Sequence, residues 1–97
     1  MIRRVVLLRW KEGTTATQID AVNKGLATLP GVISEIRSYT HGPDVGLGHE
    51  PADYAIVADF DDAEGWRVYD THPVHDKVRA EIIRPHAAQI SAATFTL

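Results

Sequence analysis

Tyr69-Asp70-Thr71-His72-Pro73-Val74-His75 sets a phenol and two imidazoles around one proline, between two segments that both read as helical. Pro73 cannot continue the preceding helix, because it lacks an N–H and clashes with the turn before it. It sits well at the first position of a new one. The chain must bend here. The bend can turn Tyr69, at the end of one helix, and His75, in the first turn of the next, towards one space.

Outward from this bend the elements follow in order. Ile2 to Trp10 is dense in β-branched and aliphatic residues and reads as a strand. Thr15 and Gln18 form a capping box that opens a helix, with Ile19, Val22, Leu26 and Leu29 as its apolar stripe. Pro30-Gly31 ends that helix. Val32 to Thr40 alternates as a second strand, His41 to Pro51 is a loop rich in breakers, and Tyr54 to Phe60 is a third strand. Asp61-Asp62-Ala63-Glu64 opens a short helix through Trp66 and Tyr69, and Pro73 to about Ala88 is the next, with Pro85 disturbing its last turn. Ile90 to Leu97 closes as a fourth strand. The order β-α-β-β-α(α)-β is the split βαβ pattern of a ferredoxin-like α+β sandwich, within one domain over residues 1–97.

The strand faces carry a second expectation. Ile2, Val6, Leu8 and Trp10 point one way from the first strand, and Val5 and Leu7 the other. Tyr54, Ile56, Ala58 and Phe60 share one side of the third strand, and Ala55 and Val57 the other. Helices suffice for only one face, so an apolar sheet surface is left over, larger than a monomer usually tolerates. A second copy laid face to face is the simplest cover, which predicts a homodimer through paired sheets.

Composition bounds the function. A net charge of −3 argues against a nucleic-acid partner, and the absence of cysteine removes disulfides and thiolate metal sites. The apolar run from Met1 is too short for a leader or a membrane span, so no membrane partner is expected and a cytoplasmic location is.

The chemistry centres on Tyr69 and His75. A helix N-terminus disfavours protonating an imidazole, so His75 is expected neutral near pH 7. A neutral imidazole can take a proton alpha to a carbonyl while a phenol donates to the enolate oxygen, and that reaction needs no cofactor. The plainer reading has His75 bonding a backbone group and Tyr69 filling core volume. His72 is expected to cap the new helix. His72-x-x-His75 offers two metal ligands and no third, so no metal is expected. Arg4, a strand arginine among aliphatics, must find solvent, a bound anion, or an acid such as Glu35, Asp53 or Asp59. Trp66 is expected in the core. His41 and His49 are expected on the exposed loop, and His86 at a helix end as a charge partner.

Three pieces together resemble the stress-responsive A/B-barrel (Dabb) family: the opening Met1 to Lys11, the Leu29-Pro30-Gly31-Val32 link, and Val57 to Asp62 followed by Tyr69-x-x-His72-Pro73-x-His75. The resemblance implies a dimeric α+β barrel with a cavity in each protomer between sheet and helices. It also implies Tyr69 and His75 as the positions that match the acid/base pair of the family's plant polyketide cyclases. Arg4 stands where the family commonly has a histidine, and Tyr54 where those cyclases have another. Arg4, Tyr54, His72 and Trp10 are therefore the candidate ligand contacts, for a ligand different from the cyclases' own. Two functions stay open. One is a cofactor-independent cyclase, lyase or isomerase acting on a small carbonyl or polyketide-like compound. The other is a non-catalytic, stress-responsive dimer that binds a small ligand.

Overall fold

The computed structural model describes residues 1–49 and 51–97; Glu50, in the expected loop, lies outside the described residues. Strands β1 (Ile2–Trp10), β2 (Ser38–Pro43), β3 (Tyr54–Phe60) and β4 (Ala87–Thr96) form one antiparallel sheet in the order β2-β3-β1-β4. Helices α1 (Ala16–Ala27), α2 (Ala63–Thr71) and α3 (Pro73–Val78) pack on one face. This is the ferredoxin-like α+β arrangement that the element order predicts.

Register decides which side chains meet the helices. Arg4 pairs with Ala58 and Thr94, Val6 with Ile56 and Ala92, and Leu8 with Tyr54 and Ile90, so these residues share the helix side. Leu8, Tyr54, Ile56, Ala58 and Phe60 form the sheet side of the core, and Val22, Leu26, Leu29, Ile33, Tyr69, Val78 and Ile83 cover them. Each fully buried aliphatic or aromatic side chain contributes about 1.5–3 kcal/mol by leaving water.

The capping box forms: Gln18 N–H donates to Thr15 Oγ1 at 3.2 Å and Thr15 N–H to Gln18 Oε1 at 2.9 Å. Further along α1, Gly25 allows close approach to the last helical segment. A Cβ there would lie 3.1 Å from Ile82 Cδ1 and 3.5 Å from Val78 Cγ1.

Two expected boundaries move. The second strand spans Ser38–Pro43, whereas alternation placed it over Val32 to Thr40. Residues 32–36 instead close local turns, with Ile33 N–H donating to Leu29 O and Ile36 N–H to Ile33 O. The chain needs these turns to descend from the helix layer to the sheet edge. His41-Gly42-Pro43 therefore belongs to the strand, where an edge position accommodates proline. The last helix is also shorter than the expected Pro73 to Ala88. It gives way after Val78 to one π-helical turn, Arg79–Ile83, closed by Arg84 N–H donating to Arg79 O at 2.9 Å. Pro85 has no N–H to continue the ladder, and β4 starts at Ala87, ahead of the expected Ile90.

The outer sheet face carries Val5, Leu7, Ala55, Val57, Ala93 and Phe95, with Leu7 42% and Phe95 49% exposed. On the same face Arg3 grips Asp59 through two bonds of 2.7 and 2.9 Å, which holds the Asp59 carboxyl below its usual range. Among the described residues no helix is long and apolar enough to cross a membrane.

Candidate functional site

The α2–α3 bend assembles the site. Asp62 caps α2 by accepting from Gly65 N–H, and α2 delivers Tyr69 and Asp70. His72 ends α2 and caps α3, its Nδ1 accepting from Val74 N–H at 3.2 Å, as expected for that residue. Pro73 starts α3 and places His75 in its first turn. The π turn then presents Arg79 and Ile83, with Arg84 just beyond. From the sheet come Arg4, Val6, Leu8, Ile56 and Ile90. With Leu26, these sheet residues and Tyr69, Asp70, His75, Arg79, Ile83 and Arg84 line a cavity of about 210 Å3.

His75 is buried, and its ring stacks on that of Tyr69 with centroids 3.9 Å apart. Its Nδ1 lies 2.9 Å from the Tyr69 carbonyl oxygen. A carbonyl only accepts, so Nδ1 carries the hydrogen and Nε2 keeps its lone pair. Burial lowers the imidazole pKa, and the nearby Arg79 cation lowers it further. His75 is thus neutral, as expected, in its Nδ1–H tautomer, with burial the first cause of its lowered pKa.

The Tyr69 hydroxyl lies 2.9 Å from the Tyr39 hydroxyl. Burial raises the pKa of both phenols, while Tyr39, Arg4 and Arg79 pull that of Tyr69 back down. Tyr69 stays protonated and is the readier proton donor of the two. Tyr39 was not among the anticipated site residues. Its signal was the alternation Ser38-Tyr39-Thr40, which turns one phenol towards the helices.

Charge is concentrated here. Three arginines, Arg4, Arg79 and Arg84, line the cavity against one carboxylate, Asp70. Arg79 donates to Asp70 Oδ1 at 2.9 Å and to the Asp70 carbonyl at 2.7 Å. Its Nε is buried without an acceptor. Arg4 lies 5.3 Å over the Trp66 ring and donates to Thr94 Oγ1 at 3.0 Å. The expected alternative, an ion pair from Arg4 to Glu35, Asp53 or Asp59, is not formed among the described residues; Asp59 is taken by Arg3. Trp66 is half-buried against the core, as expected of it.

Tyr54 and Trp10 stand apart from this cavity. The Tyr54 hydroxyl donates to Asn23 Oδ1 at 3.0 Å and meets His41 Nδ1 at 2.7 Å, and burial pushes its pKa up to about 12. Trp10 tilts against Tyr54 with centroids 5.8 Å apart. His72 is absent from the lining too. His41, expected on an exposed loop, sits in β2 on the helix side, whereas His49 is exposed as anticipated. His86, expected as a charge partner, makes no ion pair among the described residues and joins Lys11 N–H through its carbonyl. Among the described residues no three His, Cys, Asp or Glu side chains converge as metal ligands.

Comparison with known proteins places this architecture. A dimeric ferredoxin-like protein of unknown function from Thermobifida fusca is 40% identical, with a TM-score of 0.91 over 99% of this chain and 90% of its own. A hydroxynitrile lyase from Passiflora edulis shares the fold at 18% identity, with a TM-score of 0.87 over 99% of this chain and 92% of its own. The stress-response A/B barrel domain-containing protein HS1 of Arabidopsis thaliana is 26% identical over 76 residues, which cover 76% of this chain and 70% of that protein. The model of the stress responsive A/B barrel domain matches residues 2–97, and the chain belongs to that family.

Proposed function

We propose that the cavity is the site of a cofactor-independent proton transfer on a small carbonyl compound, making the protein a lyase, isomerase or cyclase. The observation that carries this reading is the 2.9 Å contact from His75 Nδ1 to the Tyr69 carbonyl, which leaves Nε2 as a free base on a residue lining the cavity. His75 Nε2 removes a proton alpha to the carbonyl, the C–H electrons move to the carbonyl oxygen, and Tyr69 donates to the enolate formed. Return of the proton, or reaction of the enolate carbon, completes the turnover. A volume of about 210 Å3 lies below the usual range of small-molecule sites, which favours a small ketone over a long polyketide. The same fold serves a lyase in Passiflora edulis.

The unit that carries this site is proposed to be a homodimer joined through the outer sheet faces, a dimeric α+β barrel. The exposed Leu7 and Phe95 and the dimeric Thermobifida fusca relative support it.

Deuterium incorporation alpha to the carbonyl of butan-2-one, followed by proton NMR in D2O at pH 7, tests the chemistry. His75→Ala should lower the catalysed rate by ~10²–10⁴-fold, and Tyr69→Phe should also lower it, with both variants folded by circular dichroism. Equal rates in wild type and His75→Ala would leave the protein a small-ligand-binding dimer without this activity.

A further inference from the structure

We propose that the cavity recognises an oxyanion on its ligand, a carboxylate or phosphate group, through Arg4, Arg79 and Arg84. The inference rests on the reading above for the choice of cavity, and it names the class of compound that cavity takes.

The charge balance is the first argument. The chain as a whole is anionic, at −3, yet three arginines line its cavity against one aspartate, beside His75. Arg79 is already paired with Asp70 and Asp76, so Arg4 and Arg84 leave the lining with positive charge that an anion would balance.

Hydrogen-bond capacity is the second. Each guanidinium has five N–H donors and no acceptor. Asp70 takes one bond from Arg79 through its carboxylate and one through its backbone, and Asp76 lies 3.3 Å from the same Nη2. Arg79 Nε remains buried and without a partner among the described residues, an arrangement that an acceptor on a ligand would relieve. Arg4 meets only a hydroxyl and an aromatic face, and Arg84 makes no side-chain hydrogen bond or ion pair among the described residues. The donors outnumber the acceptors, and carboxylate or phosphate oxygens are the acceptors whose geometry suits guanidinium forks.

Backbone geometry is the third. The π turn Arg79–Ile83 adds a residue to the helical turn, and both Arg79 and the following Arg84 reach the cavity wall. Turns of this kind recur at functional sites.

Titration of the wild-type protein with 4-oxopentanoate, its uncharged amide and inorganic phosphate tests this, read by the Nε–Hε resonances of Arg79 and Arg84 in ¹⁵N-correlated NMR spectra. The keto acid should bind in the ~0.1–10 mM range expected of so small a ligand and at least tenfold more tightly than the amide. Its affinity should fall when NaCl is raised from about 0.05 to about 0.5 M. Arg84→Gln, at an exposed position, should weaken binding at least fivefold without lowering the melting temperature. If that variant proves unstable, the salt dependence and the acid-to-amide ratio still decide the matter. Phosphate binding with the same Arg84 dependence would assign the oxyanion to the phosphate class. Equal affinity for acid and amide, or no binding by either anion, overturns the proposal. Anion binding and proton exchange fail separately: His75-dependent exchange without anion preference sinks only the arginine reading, and arginine-dependent binding without exchange sinks only the chemistry.

Discussion

His75 Nδ1 lies 2.9 Å from the backbone oxygen of Tyr69, while the two rings stack at 3.9 Å. The contact fixes both the imidazole's tautomer and its plane. The same burial lowers the His75 pKa below 6.5 in the folded state. Below the unfolded value the unfolded chain therefore binds the proton more readily, so this contribution to stability is whole above about pH 6.5 and is lost as pH falls towards the depressed folded pKa. Urea unfolding from pH 8 to pH 5 should show stability declining below about 6.5. His75→Gln should flatten that part of the profile, and an unchanged slope would mean that His75 is not buried neutral.

Tyr39 and Tyr69 share a bond of 2.9 Å between two phenols that burial keeps protonated. Tyr39→Phe should cost ~0.5–1.5 kcal/mol in denaturant unfolding, because it leaves the Tyr69 hydroxyl without its buried partner. The fold should survive, since the ring still meets Tyr69 at a centroid distance of 5.9 Å. Proton exchange should change more than stability does, as the partner that holds the Tyr69 hydroxyl is lost.

Gly25 holds α1 against the π turn. Gly25→Ala gains about 0.8–1 kcal/mol of helix propensity, but its Cβ meets the flexible Ile82 Cδ1 at 3.1 Å, so the net change should lie within about 1 kcal/mol. Gly25→Val has no such room and should destabilise by ~1–3 kcal/mol. Because the π turn carries Arg79, the Arg79 Nε–Hε resonance should shift in Gly25→Val. Wild-type stability and an unmoved resonance would show that the close approach is unimportant.

Dimerisation through the outer face is checked by charge. Leu7→Lys combined with Phe95→Glu puts ions where the sheets are proposed to meet, 42% and 49% exposed in the single chain. Light scattering at micromolar concentration should give twice the chain mass for wild type and one chain mass for the double variant. A wild-type mass of one chain would overturn the dimer.

Much of the molecule was legible in the linear order of residues. The capping box of α1, the Pro73 bend, the two faces of β1 and β3, and the Tyr69–His75 pairing all depend on neighbours within a few positions, where local sterics and periodicity decide. Residues 32–43 were less legible. Val32 to Thr40 alternates like a strand, yet the descent from helix to sheet consumes its first half in turns, and that need arises only once both layers exist. The helix after Pro73 was overextended for a related reason. Nothing local to residues 73–88 marks the point where the helix gives way to the π turn at Arg79.

Sequence alone therefore determined the element order, the sheet-facing residues, the bend and the acid/base candidates, because each follows from short-range geometry. Tertiary structure decided which groups share a cavity. Arg4, Asp70, Arg79 and Arg84 meet across β1, α2 and the π turn, Tyr39 reaches Tyr69 from β2, and Tyr54 is drawn away to Asn23 and His41. The physical reason is long-range pairing: the face of each strand follows from its own alternation, but which residues of other elements stand opposite depends on partners distant in the chain.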